Sequence, residues 1–263
     1  MKRWHVLVSV LVVAVFALLL NQDALARSAW QKYRSPAVAL ALNRGDAELA
    51  MQLGNYYFGN GEYDLVKAEK AYRKAVAINL SILWGHYQLA RVIFVRGDYN
   101  SALDEINREL EANPQNLRSL YVRGLIYGYT GNSVKAAEDF QRFTEWAPSE
   151  WAGYNDLAWA LSKAGKYSKA EEAVEKAFDK VPYGKQNPWL WNALGLAELN
   201  LKKYSEAELS FSKAATFAEK LTEADWQKSY PGNDPKSAEG GLSSFRAAIE
   251  NNLASAKARN AGK

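Results

Sequence analysis

Residues 117–150 read LRSLYVRGLIYGYTGNSVKAAEDFQRFTEWAPSE, and the same order of small, aromatic and proline residues recurs along the chain. The positions that carry this order are Leu120, Gly124, Tyr127, Gly131, Ala136, Phe140 and Pro148. Pro114, Pro148 and Pro182 follow one another at intervals of 34 residues. Self-similarity at a fixed period of this length indicates a repeat architecture, in which each repeat is one supersecondary unit.

Glycine and alanine recur in register with this period. The turn position holds Gly61, Gly97, Gly131 and Gly165, and a later position holds Ala68, Ala102, Ala136, Ala170 and Ala207. An earlier small position, inside a predicted helix, holds Gly54, Ala90, Gly124, Ala158 and Gly195. A glycine inside a helix costs about 1 kcal/mol relative to alanine. Its recurrence therefore predicts close approach by a partner helix.

This order and spacing resembles the tetratricopeptide repeat (TPR) family over about two thirds of the chain. The resemblance implies five repeats, placed at residues 47–82, 83–116, 117–150, 151–187 and 188–221. Each repeat would be an antiparallel pair of helices. Because one helical hairpin cannot bury its apolar face alone, the stacked pairs are predicted to form an all-α, curved solenoid.

The composition excludes several classes of function. The 263 residues contain no cysteine and only two histidines, His5 and His86, which excludes disulfides and thiolate zinc sites. The formal net charge of +4 is small, and without a block of basic residues we predict no nucleic-acid partner. No nucleophile elbow or phosphate-binding loop is found, so we predict no enzyme, no catalytic residues, no metal and no cofactor.

The first 26 residues have the features of an export signal. Two basic residues precede an uncharged run over residues 4–20, and Ala24-Leu25-Ala26 offers a small-residue cleavage site. The run is also near the lower limit for a bilayer-spanning helix, roughly 17 to 25 residues. Residues 1–26 are predicted to be either a signal peptide cut after Ala26 or a retained transmembrane anchor. Both alternatives place the repeats outside the cytoplasm, on the periplasmic or cell-envelope side.

Two flanking segments complete the predicted organisation. Residues 27–46 are predicted to form a linker and a short entry helix that starts at Pro36, with Asp46 capping the first repeat. Residues 222–263 are predicted to form a polar loop, Trp226 to Pro235, and a final helix. One face of that helix carries Leu242, Phe245, Ile249, Leu253 and Ala256. We interpret it as a cap over the open end of the repeats, followed by a frayed tail.

The resemblance also implies a binding groove, because the first helix of each pair lines the concave surface of TPR proteins. The matching positions hold Asn55, Phe58, Trp84, Tyr87, Arg91, Phe94, Arg118, Tyr121, Tyr129, Asn155, Trp159, Lys163, Trp189 and Asn192. Tryptophan, tyrosine and arginine are enriched at binding hot spots. We therefore predict a protein or peptide partner with apolar or aromatic side chains, and acidic groups as a further option.

Two considerations limit this prediction. We expect roughly half of the aromatic groove residues to contribute mainly to the fold, by packing on a neighbouring repeat or a capping segment. Some TPR proteins clamp a terminal carboxylate with lysine, asparagine and arginine. This chain has Asn55 and Arg118 at two of those positions but Met51, Gln88 and Val122 at the others. The departure argues against a carboxylate clamp.

Three functional hypotheses follow. The first is a non-catalytic scaffold outside the cytoplasm, held at the membrane if its N-terminal segment is uncleaved, that helps assemble a membrane or envelope complex. The second is an enzyme or accessory subunit acting on envelope glycans, because aromatic faces also stack on sugar rings. It lacks a carboxylate pair, since Glu48 is the only acid at the groove positions. The third is self-assembly through exposed apolar ends. The first needs the fewest assumptions.

Overall fold

The computed structural model describes residues 21–229 and 240–262. Most of the predicted signal or anchor and the second half of the predicted polar loop, from residue 230 onward, lie outside these ranges. The chain divides into two compact units, unit 1 ending at Arg96 and unit 2 beginning at Gly97. No helix within the described ranges is both long and apolar enough to cross a bilayer.

Unit 1 contains five of the described helices. They are α1 (Gln22–Gln31), α2 (Pro36–Leu42), α3 (Ala47–Tyr57), α4 (Leu65–Ile78) and α5 (Gly85–Val95). Helices α3 and α4 pack as a hairpin, and α5 packs on α4. Aspartates begin both helices of the hairpin: Asp46 accepts from the N–H of Leu49 at 3.0 Å and Asp64 from that of Lys67 at 3.0 Å.

Unit 2 contains the other nine described helices and one 3-10 turn, Gly184–Gln186. The helices are α6 (Tyr99–Ala112), α7 (Leu117–Tyr129), α8 (Ser133–Trp146), α9 (Trp151–Lys163), α10 (Tyr167–Lys180), α11 (Pro188–Asn200), α12 (Tyr204–Ala218), α13 (Glu223–Ser229) and α14 (Gly241–Ala261). Three hairpins, α7/α8, α9/α10 and α11/α12, follow one another, and α14 packs on α12. The predicted all-α fold of paired helices with a C-terminal helix is confirmed.

A contact between a glycine and an aromatic ring brings the two helices of a hairpin together. A Cβ atom added to Gly124 would lie 2.8 Å from the ring of Phe140, and one added to Gly195 would lie 2.7 Å from that of Phe211. The corresponding distance from Gly54 to Tyr72 is 2.4 Å. All of these are shorter than a real Cβ contact. The ring therefore occupies the space that any side chain at the small position would need.

A left-handed turn explains three glycines of the recurring turn position, Gly97, Gly131 and Gly165, but not Gly61. Gly131 has φ of +82°, a left-handed conformation that costs other residues free energy. The next residue, Asn132, donates its N–H to the carbonyl oxygen of Tyr127 at 2.8 Å and its side chain accepts from the N–H of Lys135 at 3.4 Å. One glycine and one asparagine thus end helix α7 and begin helix α8.

The N-terminal flank differs from the sequence prediction. Helix α1 runs through residues 27–31, where a linker was predicted, and crosses Ala26, which is fully buried. The Asp23 carboxylate accepts from the backbone N–H groups of Arg44 and Gly45, and Arg27 pairs with Asp46 at 2.5 Å. These partners lie about twenty residues away in sequence. Local patterns do not contain such tertiary contacts.

The C-terminal flank also differs in two places. Trp226, predicted to begin a polar loop, lies in helix α13, and α14 continues to Ala261, so the tail predicted to fray is helical. Asn260 holds that last turn, because its side chain accepts from Ser205 at 3.0 Å and donates to Glu208 at 3.2 Å. The predicted apolar face of α14 is buried at Leu242, Ile249 and Ala256.

Glu198 is a carboxyl group buried within unit 2. It lies on α11 with 7% of its surface exposed, and its Oε2 atom has no hydrogen-bond partner among the described residues. Burial raises the pKa of Glu198 to about 7, although a hydrogen bond from Ser210 opposes the shift. The nearby Glu171 and Glu206 raise the pKa further, and Lys203 lowers it.

We expect Gly124→Ala to destabilise the protein by about 2 kcal/mol, because the added methyl group overlaps the ring of Phe140. Hairpin α9/α10 has Ala158 and Val174 at the matching positions. The double variant Gly124→Ala, Phe140→Val should therefore lose less unfolding free energy than the two single variants lose in sum. Urea unfolding of the four proteins measures this coupling. Simple additivity would contradict the contact as the cause.

We expect Glu198→Gln to change the pH dependence of stability. The raised folded-state pKa means that wild-type stability falls as pH rises from about 4.3, the ordinary glutamate value, to about 7. The glutamine variant lacks this loss. The unfolding free energy of the variant relative to that of wild type should therefore increase across that window, by about 2 kcal/mol or more. Denaturant unfolding at a series of pH values gives the difference. A difference that does not vary with pH would refute the shift.

Candidate functional site

The predicted groove residues fall into two sets, one in each unit. Unit 1 holds those numbered 55 to 94 and unit 2 those numbered 118 to 192. All lie on, or directly beside, the first helix of a predicted repeat, that is on α3, α5, α7, α9 and α11. We call this the first-helix surface of each unit.

In unit 1, a chain of hydrogen bonds links the first-helix residues. The Asn55 Oδ1 atom accepts from the hydroxyl of Tyr72 at 2.7 Å and from the amide of Gln88 at 3.1 Å. The Gln88 Oε1 atom accepts in turn from the guanidinium of Arg91 at 2.8 Å. Helices α3, α4 and α5 are thereby joined through one amide. Asn55 and Arg91 are held in place before any ligand arrives.

The aromatic residues of unit 1 pack around Arg91. Its guanidinium carbon lies 4.9 Å from the ring centre of Phe58 and 5.5 Å from that of Tyr87. Both of those residues are buried, at 7% and 8% exposed. Trp84 meets Tyr87 edge to face at 5.4 Å and is half-buried, as is Phe94. Phe58 and Tyr87 therefore serve the fold, and Trp84 and Phe94 keep some open surface.

Trp30, which lies in the predicted linker, also belongs to this surface of unit 1. Its indole N–H donates to Gln52 at 3.2 Å and its ring meets Tyr56 edge to face at 5.2 Å. An open cavity of about 460 Å³ is lined by Trp30, Arg34, Gln52, Asn55, Tyr56 and Asn60. The sequence around Trp30 carries no helical pattern of the kind used for the repeats, so its place on this surface is not predicted.

In unit 2, a carboxylate lies among the predicted residues. The hydroxyl of Tyr121 donates to Asp156 Oδ2, and the amide of Asn155 donates to Asp156 Oδ1 at 3.0 Å. Burial raises the pKa of Asp156 to about 6, while the two hydrogen bonds lower it. Asp156 is the sixth residue of the repeat at 151–187. The predicted groove residues do not include this position, so Asp156 was not among them. Its place beside Asn155, one turn from Trp159, could have identified it.

Three aromatic rings continue this surface of unit 2. Tyr129 stacks with Tyr99 at a centroid distance of 6.1 Å and meets Trp159 at 6.0 Å. Tyr129 is 62% exposed and Trp159 is partly exposed. We call Tyr99, Tyr121, Tyr129, Asp156 and Trp159 the aromatic patch. Two exposed basic residues, Arg118 and Lys163, lie on the same helices as Tyr121 and Trp159.

The last two predicted residues are covered by the C-terminal segment. Trp189 is 7% exposed and stacks on Trp151 at 4.8 Å and on Phe245 at 5.4 Å. The Asn192 Oδ1 atom accepts from the amide of Asn252 at 3.1 Å. Phe245 and Asn252 belong to α14, so this helix takes up the surface that these two residues were predicted to offer. Among the predicted aromatic residues of unit 2, Tyr129 is thus the most exposed.

The described residues offer no metal centre, since no group of three or more histidine, aspartate or glutamate side chains in residues 21–229 and 240–262 is placed to bind an ion.

Several solved structures share this fold. The structure named MamA has a TM-score of 0.58 and 20% identity, covering 70% of this chain and 94% of that one. YrrB, described as a TPR protein with an unusual peptide-binding site, has a TM-score of 0.57 and 18% identity, covering 71% and 93%. A tetratricopeptide repeat protein from Parabacteroides merdae has a TM-score of 0.53 and 19% identity, covering 88% and 84%. At these identities the likeness shows the fold alone.

Curated relatives and a family match complete the comparison. BBSome complex member BBS4 of Bos taurus is 26% identical over 196 residues, which is 73% of this chain and 35% of that protein. Photosystem I assembly protein Ycf3 of Acaryochloris marina is 27% identical over 132 residues, 49% of this chain and 69% of that protein. The chain thus spans about a third of the first relative. The family described as Tetratricopeptide repeat matches residues 87–151 and 155–238, more than half of the chain, which therefore belongs to the tetratricopeptide repeat family.

Proposed function

We propose that this TPR protein is a non-catalytic scaffold that binds an extended or helical protein segment on the aromatic patch of unit 2. One observation carries the proposal: Tyr129 presents 62% of its surface to solvent while its ring contacts those of Tyr99 and Trp159. A rigid aromatic side chain with a polar tip loses little conformational entropy on binding, which is why such residues act as anchors.

The comparisons support a role in assembly. One relative is named as a member of a complex and another as an assembly protein, and one structure of this fold is described as having a peptide-binding site. We infer that this chain likewise brings protein segments together. The predicted export signal leads us to propose that it does so outside the cytoplasm, at a membrane or cell envelope.

We further propose that the N-terminal segment is retained as an anchor. Cleavage after Ala26 would remove Asp23, whose carboxylate accepts two backbone N–H groups of the loop before α3. It would also remove Ala26 itself, which is fully buried. Unit 1 as described therefore uses residues on the N-terminal side of the predicted cleavage site, which favours the anchor over the cleaved signal.

The binding proposal is tested by site-specific crosslinking in membranes of the native source. A photoreactive phenylalanine analogue at position 129 should capture one defined segment of a partner protein, and the same analogue at Trp146 should not. Trp146 is 54% exposed and lies on α8, a second helix, so it is a matched control in the same unit. A synthetic copy of the captured segment should then bind wild type.

Tyr129→Glu should weaken that peptide by about thirtyfold, a loss typical of an aromatic hot spot, while Trp146→Glu should leave binding unchanged. Fluorescence polarisation measures both, with circular dichroism as the check on folding. Equal capture from positions 129 and 146 would contradict the proposed surface. Capture of glycan or of a second copy of the chain would support one of the other two hypotheses.

The anchor proposal predicts the N-terminus of the mature protein. Full-length chain with a C-terminal tag, expressed in an exporting bacterium, should be found in the membrane fraction with peptides that span the Ala26–Arg27 bond. Mass spectrometry of the intact protein and of its peptides tests this. A soluble protein that begins at Arg27 and unfolds at the same temperature as the membrane-extracted form would show that residues 21–26 are dispensable.

A further inference from the structure

Asp156 is the acidic member of the aromatic patch, whose other members are tyrosine and tryptophan side chains. It is half-buried, and each of its oxygens accepts one hydrogen bond, Oδ2 from the Tyr121 hydroxyl and Oδ1 from the Asn155 amide. A carboxylate offers about four lone-pair sites. About two therefore remain for a donor that the described residues do not supply.

No positive charge balances Asp156 within the described part of the chain. It forms no ion pair there, and its pKa is raised to about 6 because only two neutral hydrogen-bond donors oppose the cost of burial. Arg118 lies one helical turn before Tyr121, and Lys163 lies about two turns after Asp156 on α9. Neither appears among the causes that shift the pKa of Asp156.

Aromatic faces beside Asp156 add to its attraction for a cation. Trp159 follows Asp156 by one turn of α9, so both side chains lie on the same side of that helix. The ring of Tyr129 meets that of Trp159 at 6.0 Å and extends the surface outward. A guanidinium or ammonium group is attracted to the face of a tryptophan or tyrosine ring by the quadrupole of the ring.

We propose that Asp156, with Trp159 and Tyr129 beside it, is a recognition site for an arginine or lysine side chain of the partner segment. The inference rests on the proposed function and adds the chemistry of the partner. A basic partner residue differs from the acidic groups that the sequence predicted as an option. The basic residues Arg118 and Lys163, which acidic groups would contact, flank the site and do not occupy it.

A purely structural role does not require the charge. The hydrogen bond from Tyr121 joins α7 to α9, and the single side-chain oxygen of a neutral asparagine at position 156 could still accept it, as a weaker bond without the charge. An ionised carboxylate there carries a desolvation cost that its two hydrogen bonds offset only in part, and a nearby cation favours the ionised form. The charge therefore has a use in binding that it lacks in the unbound protein.

The test begins with selection of a random-peptide phage library on full-length wild-type protein. We expect the enriched peptides to contain an arginine or lysine next to an aromatic or aliphatic residue. The best peptide and its copy with that basic residue replaced by glutamine are then synthesised. The glutamine copy should bind wild type about tenfold more weakly or worse.

Two protein variants locate the effect. Asp156→Asn should lose the preference for the basic peptide over its glutamine copy. Asp179→Asn should keep it, because Asp179 is exposed on α10 and the change removes the same charge elsewhere in unit 2. The loss of preference, rather than of overall affinity, separates recognition from a structural role. The comparison of the basic peptide with its glutamine copy on wild-type protein needs no protein variant. It therefore remains valid even if Asp156→Asn does not fold.

The outcomes distinguish this inference from the function on which it rests. Enriched peptides without basic residues, whose binding still falls with Tyr129→Glu, would overturn the cation site and leave the peptide-binding surface standing. A preference for basic peptides that persists in Asp156→Asn would also overturn it. No enrichment above background on wild type would overturn both.

Discussion

The fold depends on how closely the two helices of a hairpin can approach. At Gly54, Gly124 and Gly195 the missing side chain leaves space for an aromatic ring of the partner helix. A methyl group in that space would require a smaller partner, as at Ala158 and Val174. The four hairpins therefore fill this contact with one of two volume pairings, glycine with an aromatic ring or alanine with valine.

Binding and capping compete for those surface positions. Near the C-terminus, Phe245 and Asn252 of α14 contact Trp189 and Asn192, so the fold uses them itself. An unpaired end of a repeat protein exposes apolar surface, and covering it removes some of the aromatic residues that a ligand could otherwise contact. Farther from that end, Tyr129 remains largely exposed. The candidate site is thus the part of the first-helix surface that the chain does not cover.

The sequence predicted what the period determines and missed what tertiary contacts determine. Repeated small residues, turn glycines and caps identify α3 to α12, because each signal lies within one hairpin. Helix α1 has no such signal and is fixed by contacts such as that from Asp23 to Arg44 and Gly45. The last turn of α14 is likewise held by Ser205 and Glu208 through Asn260. The predicted groove residues lie on or beside first helices, and the sequence could not show which of their aromatic side chains are buried.

The sixth position of the repeat shows why Asp156 is informative. The residues there are Gln52, Gln88, Val122, Asp156 and Ala193. Gln52 bonds to Trp30 and Gln88 to Asn55, while Val122 and Ala193 are buried, so this position faces neighbouring helices of its own unit. An amide or a small apolar group satisfies that role without charge. Asp156 fills the same place with a carboxylate whose burial cost two neutral hydrogen bonds offset only in part, and a perturbed ionisable group of this kind is typical of a functional site.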